Sequence, residues 1–278
     1  MNLIIQATYE ILPSQIKTIS GLTSAIRTEQ ISSNAYRLVN VHHHDGVASY
    51  CWEEHLDYGY VRPNQKLTDF GMVVMDMDST LITIECIDEI ADMHGIKHYV
   101  SSITESAMRR DIDFAESLLS RVALLEGLDE SVLQRVYDER LQLSPGTDIL
   151  LAALKQNSIK TMLISNGFEF FTERLSSRLG LDFAYANTLE IINGKLSGKV
   201  FGEIMDAKGK ADKLVQTRDQ LSLNGRQVIA IGDGANDLKM MSQASVSIAY
   251  HAKAVVRSQA TYAFNFVGLD GLIPLFSG

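Results

Sequence analysis

The apolar positions of this chain fall into three textures, and each predicts a different kind of structure. Val73, Val74 and Met75 form a short unbroken apolar run, the pattern of a strand buried on both faces of a parallel sheet. Further strands are predicted over 159–164, 183–186, 227–231, 246–249 and 262–264. Between them the spacing becomes helical, over 147–155, 168–179 and 208–221. Strands alternating with helices predict an α/β domain, a doubly wound parallel sheet of Rossmann-like type. Asn193-Gly194, inside the stretch 190–198, predicts a hairpin.

The second texture is helical from 83 to about 141, with no strand candidate to interrupt it. Ile84, Ile87, Ile90 and Ala91 make one stripe, and Phe114, Leu118, Arg121, Val122 and Leu125 make another. Asp129 reads as the N-cap for Val132, Leu133, Val136 and Tyr137. An all-helical insertion directly after the first core strand fits poorly in a sheet and well as a cap over its end. The third texture covers 1–70. Strands are predicted over 2–8 and 35–41, and a helix over 13–26 opening at Ser14. Tyr50, Trp52, Tyr58 and Tyr60 supply apolar bulk, and Pro63 punctuates a polar linker over 62–66. A boundary near residue 70 follows, with a small α+β domain before it and the α/β domain over 71–278. His42, His43 and His44 are consecutive, so their side chains cannot converge from a strand or helix, and they read as a solvated loop.

The overall charge narrows the partners. At −9, the chain is not built to bind nucleic acid or an anionic membrane, although a basic pocket for a small anion remains compatible with it. Cys51 and Cys86 are too few for a disulfide framework. No leader pattern opens the chain and no apolar run is long enough to span a bilayer, so a cytoplasmic protein is expected. The small first domain carries no recognisable chemistry. It is read either as a regulatory or dimerising module, which would make the chain a homodimer, or as a structural appendage.

Chemistry collects at the carboxyl ends of three predicted strands, where open α/β sheets bind their ligands. The first ends in Asp76-Met77-Asp78. Two carboxylates that close repel unless a cation or proton sits between them, and a hard divalent ion, most simply one Mg²⁺, suits oxygen ligands. Asp76 at the strand tip is the candidate nucleophile and Asp78 the candidate general acid and base. The second strand ends in Ser165-Asn166-Gly167 before a helix, a hydroxyl and N–H groups placed to hold an anion, with Ser165 as a plain N-cap the simpler alternative. The third ends in Gly232-Asp233-Gly234-Ala235-Asn236-Asp237. Asp233 would complete the metal site with Asp76 and the backbone carbonyl of Asp78. Asp237 would hold a metal-bound water, and Asn236 would face the substrate. A cation on the phosphate is still needed; Lys208 is the leading candidate and Lys210 its competitor.

Asp76 to Thr80, Ser165 to Phe168, Ala207 to Lys210 and Gly232 to Asp237 together resemble, in order, the motifs of the haloacid dehalogenase (HAD) superfamily. The likeness extends to its branch acting on O-phospho-L-serine. This resemblance implies a HAD-like fold with a small helical cap. It also implies a Mg²⁺-dependent hydrolysis of phosphoserine to serine and phosphate, the last step of serine biosynthesis, through an aspartyl-phosphate. It further implies that Glu85 reads the substrate ammonium, that Arg121 grips its carboxylate, and that Met108 and Phe114 help exclude water. A buried salt bridge is the alternative for Arg121. Two positions depart from the pattern: Asn166 and Arg110 both stand where glycine is common. Asparagine tolerates left-handed backbone angles, which would let its N–H still serve the phosphate. The same machinery acting on phosphohomoserine or phosphothreonine is the competing enzyme reading. A non-catalytic phosphoamino-acid sensor would lack Asp76 or Asp78, and both are present.

Overall fold

The computed structural model describes residues 1–108 and 112–277, so Arg110 lies outside the described residues. The first region runs β1 (Asn2–Gln6), α1 (Pro13–Thr23), β2 (Arg27–Ser32), β3 (Ala35–Val39), α2 (Gly46–Glu53) and β4 (Asp57–Val61). Its strands form an antiparallel sheet in the order β2-β3-β1-β4. Leu3 and Ile5 of β1 join Ile16, Ile19, Val47 and Cys51 of the two helices in one apolar cluster. Ile4, on the opposite face, joins Val61 in the main core. The period-two alternation of β1 thus serves two interiors.

Three of these elements are absent from the sequence expectations. β2 has a mostly exposed, polar pattern because it is an edge strand with little to bury. The stretch read as a source of aromatic bulk folds as helix α2 and strand β4; Tyr50, Tyr58 and Tyr60 pack against the apolar cluster, whereas Trp52 is 55 % exposed. The histidines at 42–44 are exposed, as expected of a loop.

Strand β4 carries the joint to the rest of the molecule. Asp57, 1 % exposed, accepts hydrogen bonds from the N–H groups of Asn265, Phe266 and Val267 at 2.8, 2.8 and 2.9 Å, and from Asn265 Nδ2 at 3.1 Å. Asp57→Ala strands three backbone donors, and a buried donor without a partner costs about 1–3 kcal/mol. A loss of roughly 3–4 kcal/mol in urea unfolding is therefore expected; an unchanged midpoint would mean that water replaces the carboxylate freely.

The second region is built on β5 (Met72–Met75), every residue of which is buried. After β5 come the cap helices α3 (Cys86–Asp92), α4 (Lys97–Met108), α5 (Phe114–Ala123) and α6 (Ser131–Glu139). Next are α7 (Thr147–Gln156), β6 (Lys160–Phe168), α8 (Glu169–Leu179), β7 (Phe183–Ile192), β8 (Lys195–Phe201) and α9 (Ala207–Gln220). The chain closes with β9 (Val228–Gly232), α10 (Leu238–Met241), β10 (Val246–Tyr250), α11 (Ala254–Arg257), β11 (Tyr262–Phe264) and α12 (Leu272–Leu275). The sheet order is β11-β10-β9-β5-β6-β7-β8, parallel except at the β7–β8 hairpin. That hairpin turns at Asn193 and Gly194, both at positive φ (52° and 75°), as a tight primed turn demands. Val73 and Met75 face one apolar cluster, Met72 and Val74 the other, so both faces of β5 are covered.

The cap is an insertion hinged on paired backbone. Thr83 N–H donates to Gln142 O and Ser144 N–H to Leu81 O, so the chain leaves and returns side by side. Farther out, Gly127 N–H bonds Leu196 O, and Leu196 N–H bonds Leu128 O. Those bonds rest the far side of the cap on the β7–β8 hairpin. Sheet and cap together leave the tips of β5, β6 and β9 as adjacent neighbours beneath α3 and α5.

Candidate active site

Asp76 follows β5 directly, and its N–H bonds Ile231 O of β9, which locks the first strand tip to the third. Asp76 is 4 % exposed. Lys210 Nζ, fully buried, donates to Asp76 Oδ1 and to Asp237 Oδ1, the latter at 2.8 Å. One oxygen from each of Asp76, Asp233 and Asp237 lies within 4.8 Å of the others. Gly232 makes this packing possible, because a Cβ there would stand 2.5 Å from Asp237 Oδ2.

Of the two candidate lysines, the structure brings Lys210 and not Lys208 to Asp76. Asp206 caps α9 by accepting from Gly209 N–H at 2.7 Å. Residues two apart on a helix point about 200° apart, so Lys208 and Lys210 cannot face the same site. Lys208 pairs with Asp212 on the outer face, its side chain 71 % exposed.

Asp78 is held differently from Asp76. Its Oδ1 accepts from Cys86 N–H at 2.9 Å, and its Oδ2 accepts from Ser165 Oγ at 3.1 Å. The chain reverses at Ser79, in the left-handed region at φ 56°. Gly167 is required on the opposite side, since a Cβ there would meet Asp78 Oδ2 at 2.7 Å. Ser165 is not a helix N-cap: β6 continues to Phe168, which caps α8. Its hydroxyl instead orients Asp78 and accepts from Gly167 N–H at 2.8 Å. Asn166 is extended, not left-handed, and its side chain accepts from Asn236 Nδ2 at 2.8 Å.

Burial pushes the Asp76 carboxyl well up, with Asp237 adding to the rise and Lys210 opposing it. Burial also raises Asp78, against the hydrogen bonds from Cys86 and Ser165. Asp233 is raised to about 6 by burial and then by Asp237, with Lys210 opposing. Asp237, 0 % exposed, has its carboxylate in the cluster itself, where the sequence reading had it holding a water. Three carboxylates and one ammonium leave a formal charge of minus two. An all-oxygen donor set with that excess is suited to a divalent cation.

The cap supplies the other wall. Ser79 Oγ donates to Glu85 Oε1 at 2.7 Å. Glu85 keeps an exposed side chain while protein surrounds it, the position of a group on a cleft wall, and its pKa is raised to about 8 by burial and then by Asp78. Arg121 on α5 is half-buried, and its Nε donates to Ser117 O at 3.3 Å. Burial lowers its pKa, while Asp88, Glu85 and Asp78 pull it back. Among the described residues it forms no ion pair, so the salt-bridge alternative has no partner there. Phe114 packs against the core cluster at the start of α5. Met108 ends α4, and its side chain lies outside the described residues.

Between its usual value of 4.5 and about 8, folded Glu85 keeps a proton that the unfolded chain releases. Stability must then fall as pH rises through that window. In EDTA, the melting temperature of the native chain is expected to drop more between pH 5 and 8 than that of Glu85→Gln. Solvent contact makes this a modest difference; parallel curves would show that the carboxyl titrates normally.

Sequence reasoning missed Asn187. It is 1 % exposed, accepts from Met205 N–H at 2.7 Å and donates to Asn166 O at 2.8 Å. The available signal was a lone amide inside the strand-forming stretch around Tyr185 and Leu189.

Comparison with known families decides the lineage, since haloacid dehalogenase-like hydrolases match residues 73–242. The chain belongs to the haloacid dehalogenase-like hydrolase family. A domain of unknown function matches residues 3–47. The family member named phosphoserine phosphatase from Polaromonas sp. (strain JS666) is 49 % identical over 218 residues, covering 77 % of this chain and 92 % of that one. A crystal structure of a probable phosphoserine phosphatase from Vibrio cholerae, in unliganded form, covers 99 % of this chain and 86 % of its own, at TM-score 0.86 and 36 % identity. A structure of a phospho-aspartyl intermediate analogue of phosphoserine phosphatase covers 73 % of this chain and 97 % of its own, at TM-score 0.69 and 32 % identity. No described helix of this hydrolase is long and apolar enough to cross a membrane.

Proposed function

We infer that the chain hydrolyses O-phospho-L-serine to serine and phosphate through an aspartyl-phosphate intermediate. The observation that carries this reading is the buried Asp76–Lys210–Asp237 cluster lying beneath Glu85 and Arg121 of the cap. The 49 % identity to a relative named phosphoserine phosphatase supports the same substrate.

Asp76 attacks phosphorus, and the bond from phosphorus to the serine oxygen breaks. Asp78, whose carboxyl burial pushes up, gives a proton to the departing alkoxide. It then takes a proton from the water that attacks the aspartyl-phosphate and returns the Asp76 carboxylate. Lys210 sets its positive charge beside the oxygens that gain negative charge. Ser165 and Cys86 N–H hold Asp78 in line. Asn236 and the backbone N–H of Asn166 complete the phosphate pocket. Mg²⁺ is the proposed ion; Asp76, Asp233 and the Asp78 carbonyl would hold it with Asp237 beside them, and when bound it would neutralise phosphoryl charge.

Substrate choice rests with the cap. Glu85 receives the ammonium and Arg121 the carboxylate, the two charges an amino-acid phosphoester presents. Phosphate release from phosphoserine, phosphothreonine, phosphohomoserine and simple phosphomonoesters, with Mg²⁺ and with EDTA, tests the reading. Phosphoserine should lead by at least tenfold, and EDTA should stop turnover. Arg121→Ala and Glu85→Gln should each erase the preference; retention of it in both would sink the substrate assignment. We also propose that residues 1–70 form a separate module for regulation or pairing of two copies, since they enclose an apolar cluster of their own.

A further inference from the structure

Asn166 is where this chain departs from its motif, and its carboxamide makes two bonds that a glycine could not. Nδ2 donates to Met205 O at 2.5 Å, and Oδ1 accepts from Asn236 Nδ2 at 2.8 Å. The polarity of this arrangement is imposed from outside. Asn187 touches two backbone groups, the N–H of Met205 and the carbonyl of Asn166, so its amide has only one useful orientation. Met205 O can only accept, which commits Asn166 Nδ2 to it and leaves Oδ1 for Asn236. Asn236 must then present Nδ2, which also stands 3.4 Å from Asp237 Oδ1.

Both ends of this link reach Lys210. On one side, Met205 immediately precedes Asp206, the N-cap of the helix that carries Lys210. On the other, Asp237 Oδ1 accepts from Lys210 Nζ at 2.8 Å, and the same ammonium bonds Asp76. The start of the lysine's helix and the carboxylate it rests on are therefore tied together through one side chain at the tip of β6. We propose that Asn166 is a positioning residue that holds the Lys210 ammonium against Asp76 by linking Met205 to Asn236. Its effect on rate rests on the phosphatase reading above; its effect on local order does not.

Asn166→Gly isolates the side chain, because it keeps the backbone N–H. Asn166→Asp keeps an acceptor for Asn236 but sets an oxygen against Met205 O. The structural measurement is amide hydrogen exchange in EDTA. Asn166→Gly should speed exchange at Gly209 and Lys210 by roughly tenfold, the weight of one to two ordinary hydrogen bonds, with β1 and β4 unchanged. In phosphoserine hydrolysis, kcat should fall by roughly tenfold while KM stays within about threefold, because a misplaced charge acts on the reacting state. Asn166→Asp should be no faster than Asn166→Gly. Combining Asn166→Gly with Asn236→Ala should cost less than the product of the two single losses, since the residues act as one unit.

Native exchange and native kcat in Asn166→Gly would overturn the proposal. So would a multiplicative double variant, or faster exchange spread evenly over the whole chain. A native chain that fails to hydrolyse phosphoserine, with exchange still faster at Gly209 and Lys210 in the variant, would overturn the phosphatase reading and uphold the positioning role.

Discussion

Asp76→Asn is expected to lower kcat for phosphoserine by roughly 10⁴-fold or more, the scale seen when a covalent nucleophile is removed. Asparagine has the same shape and can still accept from Lys210, so the site should keep its form. Stability should not suffer. Burial pushes the Asp76 carboxyl up, followed by Asp237, which means the folded state resists ionising it. Without metal, the native chain should therefore lose stability as pH rises above the usual carboxylate range, and Asp76→Asn should lose less. Phosphate release and thermal unfolding in EDTA read both effects. Activity within a hundredfold of native would remove Asp76 from the nucleophile's role.

Lys210→Met should produce the largest loss of stability. Burial alone pulls the lysine pKa down, but Asp237 and Asp76 overcome it and hold the ammonium above the usual lysine value. Removing this cation leaves two buried carboxylates facing each other, and breaking a buried pair costs about 3–5 kcal/mol. Urea unfolding in EDTA should show that loss, and turnover should vanish with it. Adding Asp76→Asn should restore part of the stability and none of the activity, because one of the repelling charges is gone. Lys208→Ala is the control, and its exposed pair with Asp212 should make it silent in both measurements. If Lys208→Ala abolished turnover and Lys210→Met did not, the assignment of the lysines would be reversed.

The two lysines also show where sequence reading stops. Both stand in one short motif, and both are plausible by spacing alone. Helix phase separates them, but which face of α9 meets the strand tips depends on how that helix packs against the sheet. Asn166 makes the same point. Asparagine at a glycine position can take a left-handed backbone, but this residue is extended, because β6 continues through Phe168 before α8 begins. Its value lies in partners 39 and 70 residues away, at Met205 and Asn236. Asp57 pairs with N–H groups more than 200 residues along the chain, so nothing near it announces a buried carboxylate.

Local patterns carried a great deal. The unbroken apolar run before Asp76, its counterparts before Ser165 and Asp233, and the helical spacing after 83 determined an α/β domain with a helical cap and three polar strand tips. These are features of period and punctuation, written within a few residues of each other. The tertiary structure alone decided that the tips of β5, β6 and β9 are neighbours, that Lys210 and not Lys208 reaches Asp76, and that Asp237 joins the cluster. It also decided that β2 and β4 are strands. The physical reason is common to all of them. A strand order, a helix face and a buried charge are set by free energies gained only when distant segments meet, and no short window of sequence contains both partners.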